Sequence, residues 1–295
     1  AGCHVDARGL HELELDLGAV PDADVYINRF SPSAFWRESG QSQSVALALL
    51  AWLEARQKRV VSGLSAMRLE ISKVAQYFHC QAAGLPCPPT HAATRAQLSS
   101  CVEQWPRAEA QLMIKPNCGG SGNGVHKVSA GEPLEASVLE ALDSPDGLFV
   151  VQEFVESAAP VLLRLEFVQG ALLYALRVRT SSHDFNNCPS DTCVETNCPL
   201  RGASDKFSID TSFPATEADH ALVASVARFM AHNRVDIAGV EIISDTLGQW
   251  WVVDCNCVNT NYNAHAENQA EMPQAGIRAM VRMVLEQAPP ATHDD

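Results

Sequence analysis

The stretch that decides the fold runs from Leu112 to Val128 and reads LMIKPNCGGSGNGVHKV. It contains four glycines and one serine within six residues: Gly119, Gly120, Ser121, Gly122 and Gly124. A Walker loop places a lysine directly after the second glycine of G-x-x-x-x-G, but Val125 stands at that position. A dinucleotide fingerprint reads G-x-G-x-x-G and opens a helix, whereas this stretch reads G-x-G-x-G and continues as VHKVSAGEP. Both motifs are therefore excluded.

Apolar residues flank the glycine-rich stretch, as LMI before it and VHKV after it. Two apolar runs joined by a glycine-containing turn are typical of a β-hairpin. Glycine reaches positive φ and lets a ligand approach the backbone, and successive N–H groups form an anion-binding nest. The stretch by itself leaves two interpretations open, a phosphate-binding loop or a mobile hairpin tip.

Length and charge narrow the classes of function. The chain has 295 residues, enough for roughly two domains. Its composition, 46% hydrophobic and 19% charged, is that of a globular enzyme with a sizeable core. The net charge is −14 and the longest basic cluster is RQKR at 56–59, which argues against a nucleic-acid partner. Without a run of ~20 apolar residues, no membrane-spanning helix is expected.

Cysteine usage indicates a reducing compartment. The start of the chain lacks the charged and apolar regions of a signal peptide, so its ten cysteines are interpreted as reduced thiols of a cytoplasmic protein. Cys188, Cys193 and Cys198 repeat at a spacing wider than most zinc-binding pairs and have no histidine at the usual offset. A cysteine-bound metal stays open as an alternative. Cys255 and Cys257 alternate along a predicted strand and are interpreted as ordinary small residues.

The first hundred residues alternate between predicted strands and helices. Strands are predicted at 22–30 and 60–63, and helices at 41–59 and 65–84, where LPCPPT then forces an extended chain. This order predicts a small parallel α/β domain.

After Pro89 the pattern changes to longer β-rich pairs. A strand is predicted at 147–155, and VLLRLEFV and ALLYALRV flank a Gln-Gly pair at 169–170, which is a two-residue hairpin signal. A second hairpin joins IAGVEII to WWVVDCNC, and helices are predicted at 217–233 and 275–287. The second part is therefore predicted to be α+β with antiparallel strands.

Charged and amide side chains recur on these predicted elements. Two cations lie beside the glycine-rich stretch, and three arginines lie on the first hairpin: Lys73, Lys115, Arg164, Arg177 and Arg179. Asp254 and Asn256 are two apart on one strand and share a face, and Glu241 comes from the partner strand. Such oxygen ligands suit Mg²⁺, and arginine suits a carboxylate or phosphate. Each feature alone also fits a turn residue or a solvated face.

In this order the motifs resemble the ATP-grasp superfamily, particularly its RimK-like carboxylate–amine ligases. The resemblance covers about residues 68–267 and rests on RLEISKVAQY, LMIKPNCGGSGNGV, VVQEFV, LLRLEFVQGALLYALRV, IAGVEII and VVDCNCVNTNYN. It implies an α/β plus α+β ATP-grasp fold. An N-terminal pre-ATP-grasp α/β domain would span 1–72, a central subdomain with a glycine-rich lid 73–152, and a C-terminal subdomain with a metal site 153–295.

The resemblance also implies roles for individual residues. Lys73 and Lys115 would contact the phosphates of ATP, with the glycine-rich stretch as a lid over them. The adenine hinge and ribose contact would be the consecutive residues Gln152, Glu153, Phe154, Val155 and Glu156. Arg164, with one of Arg177 or Arg179, would hold the reacting carboxylate and the transferring phosphate. Mg²⁺, or Mn²⁺ in its place, would be held by Glu241, Asp254 and Asn256.

Two positions depart from the family pattern. The last hairpin usually reads E-x-N, and Asp254 makes it one methylene shorter here. Leu162 replaces an acidic residue two positions before Arg164. The segment 180–207 has no counterpart in the simplest family members, and we expect it near the acceptor site.

The function implied is an ATP-dependent ligase that forms an amide or peptide bond through an acyl phosphate. Its partners would be a small-molecule carboxylate and an amine, from an amino acid or small peptide, with no nucleic acid and no membrane. The oligomeric state stays open, with a dimer or a tetramer compatible. A non-catalytic ATP-binding module of the same fold and a cysteine-coordinated metal protein are the alternatives.

Overall fold

The computed structural model describes residues 4–9, 16–32, 42–120, 122–180, 206–258, 260 and 262–287. Ser121 and most of the 180–207 segment lie outside the described residues, as do Cys188, Cys193 and Cys198. The described residues form sheets of two, four and five strands. Among them, no helix has the length and apolar character needed to cross a membrane.

The N-terminal part contains a parallel strand–helix–strand unit. β1, Val25–Ile27, pairs in parallel with β2, Arg59–Val61, and α1, Ser42–Ala55, lies between them in the chain. This confirms the predicted parallel arrangement. The helix ends before the predicted limit of 41–59, because Gln57 takes a φ of 57° and turns the chain toward β2.

The helix predicted at 65–84 is two helices, so the prediction of one continuous helix was wrong. α2 spans Leu64–Glu70 and α3 spans Lys73–Ala82. Between them Ser72 is extended, and its Oγ accepts a hydrogen bond of 3.2 Å from Ala75 N. Serine is a preferred N-cap because its side chain satisfies an N–H group that the first turn leaves free. The break places a lysine at the first position of α3.

A four-stranded antiparallel sheet has the order β3-β6-β4-β5. Its strands are β3, Thr90–Thr94; β4, Gln111–Pro116; β5, His126–Ser129; and β6, Leu148–Glu153. Two short helices pack on its core: α4, Leu98–Glu103, and α5, Ala136–Ala141. The glycine-rich stretch joins β4 to β5, which confirms the predicted hairpin.

A five-stranded antiparallel sheet has the order β11-β10-β7-β8-β9. Its strands are β7, Val161–Val168; β8, Ala171–Arg179; β9, Phe207–Asp210; β10, Ile237–Ser244; and β11, Trp250–Asn256. Gln169 and Gly170 form the β7–β8 turn with φ values of 51° and 77°, as a two-residue hairpin requires. Both predicted hairpins are confirmed, and β9 is an additional strand.

The two faces of the five-stranded sheet have different covers. α6, Glu217–Asn233, packs Val226 and Phe229 into the same core as Leu163 and Leu165. The opposite face is partly covered by α7, Ala264–Gln269, and α8, Ala275–Gln287. This second face also carries the polar side chains of β7, β10 and β11, and it is where the candidate site lies.

Candidate active site

Asn117 brings Lys73 to the glycine-rich stretch. Lys73 N donates to Asn117 O over 3.0 Å, and Val74 N donates to Asn117 Oδ1 over 2.9 Å. These bonds hold the start of α3 against the end of β4. Lys73 Nζ in turn donates to Gly119 O over 3.2 Å, so its ammonium lies at the entry to the glycine-rich stretch.

Lys73 and Lys115 both reach strand β11. Lys73 Nζ is 3.5 Å from Asp254 Oδ1. Lys115 Nζ donates to Val253 O over 3.1 Å and to Gln152 Oε1 over 2.9 Å. Burial lowers the pKa of Lys115 to about 8, against the opposing influence of the Asp254 carboxylate. The four-stranded sheet and α3 therefore each supply one cation to the acidic strand.

A β-bulge at Val253 sets Asp254 opposite Glu241. Ile242 pairs with Val252, whereas Glu241 pairs with Asp254, so the register skips Val253. One extra residue turns every later side chain to the other face, and directly paired residues share a face. Without the bulge, the two carboxylates would therefore lie on opposite faces of the sheet.

Arg164 meets this acidic pair from the neighbouring strand β7. Its Nη1 donates to Glu241 Oε1 over 2.9 Å, and its Nε donates to Glu166 Oε1 over 2.7 Å. The guanidinium lies over Gly239, where a Cβ would stand 2.2 Å from Nη2. Asn256 pairs with Gly239 across the strands and completes the face. The absence of a side chain at position 239 is what lets Arg164 approach.

The surroundings of Glu241 and Asp254 shift the pKa values of the two carboxyl groups in opposite directions. Burial raises the pKa of Glu241 to about 7; Arg164 opposes this rise, and the Asp254 charge adds to it. Burial also disfavours ionised Asp254, but Lys73 and Lys115 hold its pKa below the usual value. A divalent cation between the two carboxylates would favour the ionised form of both.

Solved structures of ligases share this architecture over most of the chain. The D-cycloserine synthetase DcsG matches with a TM-score of 0.63 and 18% identity over 92% of this chain and 87% of its own. The ATP-grasp ligase PsnB, complexed with a minimal precursor, matches with a TM-score of 0.54 and 20% identity over 86% of this chain and 73% of its own. This chain has the ATP-grasp fold.

A third solved structure with a similar fold is a protein from Vibrio cholerae. This D-alanyl-alanine synthetase A matches with a TM-score of 0.55 and 15% identity over 81% of this chain and 72% of its own. No protein-family model and no curated protein sequence matches the chain. The likeness therefore lies in the fold, with a sequence identity of 20% or less in these three structures.

A cavity lies between the four-stranded sheet, α3 and β11. Its lining includes both lysines, and we refer to it as the lysine cavity: Lys73, Tyr77, Lys115, Gln152, Val253 and Asp254. These residues come from segments on either side of the glycine-rich stretch. The predicted phosphate-contacting lysines and the acidic strand are thus brought together at one cavity.

Glycine is required in the hairpin turn beside this cavity. Gly122 and Gly124 have φ values of 73° and 70°, in the left-handed region that favours glycine. A Cβ at Gly124 would also stand 2.9 Å from Pro116 Cγ. The turn therefore explains two of the glycines by conformation alone, and the phosphate-binding role of the stretch stays a prediction.

The predicted hinge at 152–156 begins in the last two residues of β6 and continues beyond the end of that strand. The N–H groups of Glu153 and Phe154 donate to backbone carbonyls of two other segments, over 2.9 and 2.7 Å. These two N–H groups are therefore already engaged, and the adenine-hinge role of 152–156 stays a prediction that would have to use other peptide groups, such as those of Val155. Glu156 is exposed.

The structure does not bring Arg177 or Arg179 to Arg164, which corrects the expectation that one of them shares its site. Leu173 is an extra residue in β8, so the register shifts and Arg164 pairs with Leu176. Because a shift of one residue turns the following side chains over, both arginines lie on the face opposite to Arg164. Arg177 is exposed and forms an ion pair of 2.7 Å with an aspartate of β9.

Glu70, the last residue of α2, is a site residue that sequence reasoning missed. Its Oε2 accepts hydrogen bonds from Val258 N over 3.0 Å and from Cys257 N. These two residues follow Asn256, so Glu70 holds the end of the acidic strand. Burial raises the pKa of Glu70 to about 7, against the lowering influence of the two N–H groups. With a separation of 187 residues between the partners, no local pattern indicates the contact.

Sequence reasoning also missed Glu166, although its position relative to Arg164 was a signal. It stands two positions after Arg164 in a strand and so shares its face. The residue is 0% exposed, and among the described residues no hydrogen-bond partner reaches its Oε2. Burial raises its pKa, against the lowering influence of Arg164.

The candidate metal site combines two carboxylates with one amide. Across the described ranges, no group of three or more His, Cys, Asp and Glu side chains is arranged to hold a metal ion. Glu241, Asp254 and Asn256 nevertheless lie on one face, and carboxylate and amide oxygens suit Mg²⁺ when substrate phosphates supply further ligands.

Proposed function

We propose that this chain is an ATP-dependent carboxylate–amine ligase. The observation that carries the proposal is the convergence of Lys73, Lys115 and Arg164 on the carboxylates of Glu241 and Asp254. Separate cations around a metal-suited acidic pair are what phosphoryl transfer needs, because its transition state spreads negative charge over several oxygens. The ATP-grasp fold and the ligases that share it support the same class of reaction.

ATP would supply the phosphoryl group, and a divalent cation would neutralise its charge. The candidate ligands for Mg²⁺, or Mn²⁺ in its place, are Glu241, Asp254 and Asn256. Lys73 and Lys115 would contact the phosphates, and Gly119, Gly120, Ser121, Gly122 and Gly124 would lie over them. The base would lie at the hinge, 152–156.

The reaction would proceed in two transfers. A carboxylate oxygen of the first substrate attacks the γ-phosphorus, and the bond to the ADP oxygen breaks. The amine nitrogen of the second substrate then attacks the acyl carbon, phosphate leaves with the bonding electrons, and the nitrogen loses a proton. Arg164 would stabilise the phosphate and the carboxylate through these steps, and positioning supplies much of the acceleration.

The substrates would be an amino acid or a small peptide. The structures that share the fold are named for D-cycloserine synthesis, D-alanyl-alanine synthesis and a peptide precursor. The net charge of −14 disfavours an acidic polymer as a partner. Arg164 and the cations of the cavity suit a carboxylate that enters beside the triphosphate.

The test is a screen for ADP release with Mg²⁺ and ATP, over amino acids and short peptides supplied singly and in pairs. A ligase releases ADP in many turnovers only when a matching carboxylate and amine are both present, and mass spectrometry then finds the amide product. The matched control is Glu140→Gln, which removes an exposed carboxylate outside the site. Saturable binding of ATP without ADP release across the screen would identify a non-catalytic module instead.

A further inference from the structure

Four thiols lie together beside the acidic strand. We call Cys80, Cys87, Cys255 and Cys257 the thiol row. Cys80, Cys255 and Cys257 belong to one buried core, against which Cys87 packs, and Cys255 Sγ lies 3.7 Å from Cys257 Sγ. The row thus connects α3 and the segment after it with strand β11.

The row lies at the candidate site and is not an isolated packing feature. Cys80, Cys87 and Cys255 line the same cavity as Lys73 and Lys115. All four cysteines are free thiols. Cys87 is partly exposed, whereas the other three are buried, so a small reagent that enters the cavity meets Cys87 first.

We propose that the thiol row is a site of reversible oxidation, in which a peroxide that enters the lysine cavity joins Cys87 to Cys80 as a disulfide. Bound nucleotide would shield this site, an expectation that rests on the proposed function. The oxidation itself goes beyond the ligase reaction, since ATP turnover uses no thiol.

The chemistry balances with hydrogen peroxide as the oxidant. The Cys87 sulfur attacks one peroxide oxygen, the O–O bond breaks, and one water leaves, which gives a sulfenic acid at Cys87. The Cys80 sulfur then attacks the Cys87 sulfur, the S–O bond breaks, and a second water leaves with the Cys80 proton. Two thiols are oxidised and one peroxide is reduced to two waters.

The chain reversal after α3 favours Cys80 and Cys87 as the disulfide partners. Cys255 and Cys257 are both buried, so a reagent in the cavity reaches them after Cys87. Cys80 and Cys87 come from a helix and the chain that follows it, where Leu85 N donates to Cys80 O over 2.9 Å and folds the chain back.

A Cys80–Cys87 disulfide would draw α3 toward the wall of the cavity. α3 begins at Lys73, whose Nζ is 3.5 Å from Asp254 Oδ1, so the shift acts on a cation of the site. We expect turnover to fall at least about tenfold, since misplacement by about 1 Å costs that much or more. Reduction with dithiothreitol should restore it.

The experiment treats the full chain with hydrogen peroxide, blocks remaining thiols and maps disulfides in unreduced peptides by mass spectrometry. The expected result is a linkage between Cys80 and Cys87 that forms at least about fivefold more slowly with a non-hydrolysable ATP analogue, as ligand occupancy predicts. Cys87→Ser should remove the linkage, and Cys101→Ser, which changes a partly exposed thiol on α4, should leave it in place.

Two results would overturn the proposal. One is the absence of the Cys80–Cys87 linkage while other cysteines are oxidised. The other is loss of turnover to the same extent in peroxide-treated Cys87→Ser as in the treated parent, each relative to its own untreated sample. Direct binding of the ATP analogue, measured by calorimetry, separates failure of the oxidation site from failure of nucleotide binding.

Discussion

Arg164 Nη1 donates to Glu241 Oε1 over 2.9 Å, from directly paired positions on β7 and β10. The same guanidinium binds Glu166, so one buried cation compensates two buried carboxylates. This relationship ties the stability of the sheet to the charge of the candidate metal site. It also makes Arg164 the most informative position to change.

Arg164→Lys should impair both turnover and stability. A single ammonium cannot reproduce the fork that reaches Glu166 and Glu241, and a buried carboxylate left unpaired costs about 3 kcal/mol. We expect a loss of that size in urea unfolding and a fall of at least about 100-fold in ADP release. Arg177→Lys is the control, because that exposed arginine lies on the other face and should change stability by less than about 1 kcal/mol. An equal loss of turnover in the control would place Arg177 in the site after all.

Gly239→Ala should disturb the position of Arg164. The new Cβ would stand 2.2 Å from Arg164 Nη2, so the guanidinium has to move. We expect a cost of about 1–3 kcal/mol in unfolding, as for other overpacked sites, together with reduced ADP release. A double-mutant cycle with Arg164→Lys should show a combined cost smaller than the sum of the two. Simple additivity would mean that the glycine acts independently of the arginine.

Asp254→Asn should raise the Mg²⁺ concentration needed for half-maximal turnover by at least about tenfold, because it removes one of two carboxylates that suit the ion. Asp254→Glu keeps the charge and adds the methylene, so its Mg²⁺ requirement should stay closer to that of the parent. The measurement is ADP release as a function of free Mg²⁺, with circular dichroism as a check of folding. An unchanged Mg²⁺ dependence in Asp254→Asn would remove this residue from the metal site.

Glu70→Gln should change how stability depends on pH. Folding raises the pKa of Glu70 to about 7, from an unfolded value of about 4.3. Because the folded state binds this proton more tightly, the parent protein loses stability as pH rises from about 4 to about 7. The variant has no such loss, so its advantage over the parent should grow across that interval toward about 3 kcal/mol.

Urea unfolding of Glu70→Gln at several pH values measures this advantage. Glu103→Gln is the control, since Glu103 is exposed at the end of α4 and its replacement should give parallel curves. A difference between Glu70→Gln and the parent that stays constant with pH would show that Glu70 titrates alike in both states.

The glycine-rich stretch should gain protection when nucleotide binds. If the stretch acts as a lid, phosphate oxygens give its N–H groups partners in addition to the turn bonds that Asn123 N and Val125 N already donate. Hydrogen exchange over 116–127, with and without a non-hydrolysable ATP analogue, measures this. Residues 98–103 of α4 serve as an internal reference that should not change. Equal exchange in both states would leave the stretch as a hairpin turn whose glycines serve conformation alone.

Local patterns in the sequence predicted most of the elements. Alternation and turn chemistry act between neighbours in the chain, so the β4–β5, β7–β8 and β10–β11 hairpins were predicted from sequence. The break at Ser72 was not, because the apolar pattern runs through it and the cap competes only weakly with helix continuation. The resemblance to the ATP-grasp superfamily supplied the order of the parts and agrees with the fold.

The sequence by itself determined which residues could carry the chemistry and on which strands they stand. Only the tertiary structure decided which of them face one another. Bulges at Leu173 and Val253 turn Arg177 away from the site and turn Asp254 into it. A single inserted residue has no local signature but reverses the facing of the strand beyond it. The contact of Glu70 with the end of β11 likewise arises from packing of distant segments, which no local pattern encodes.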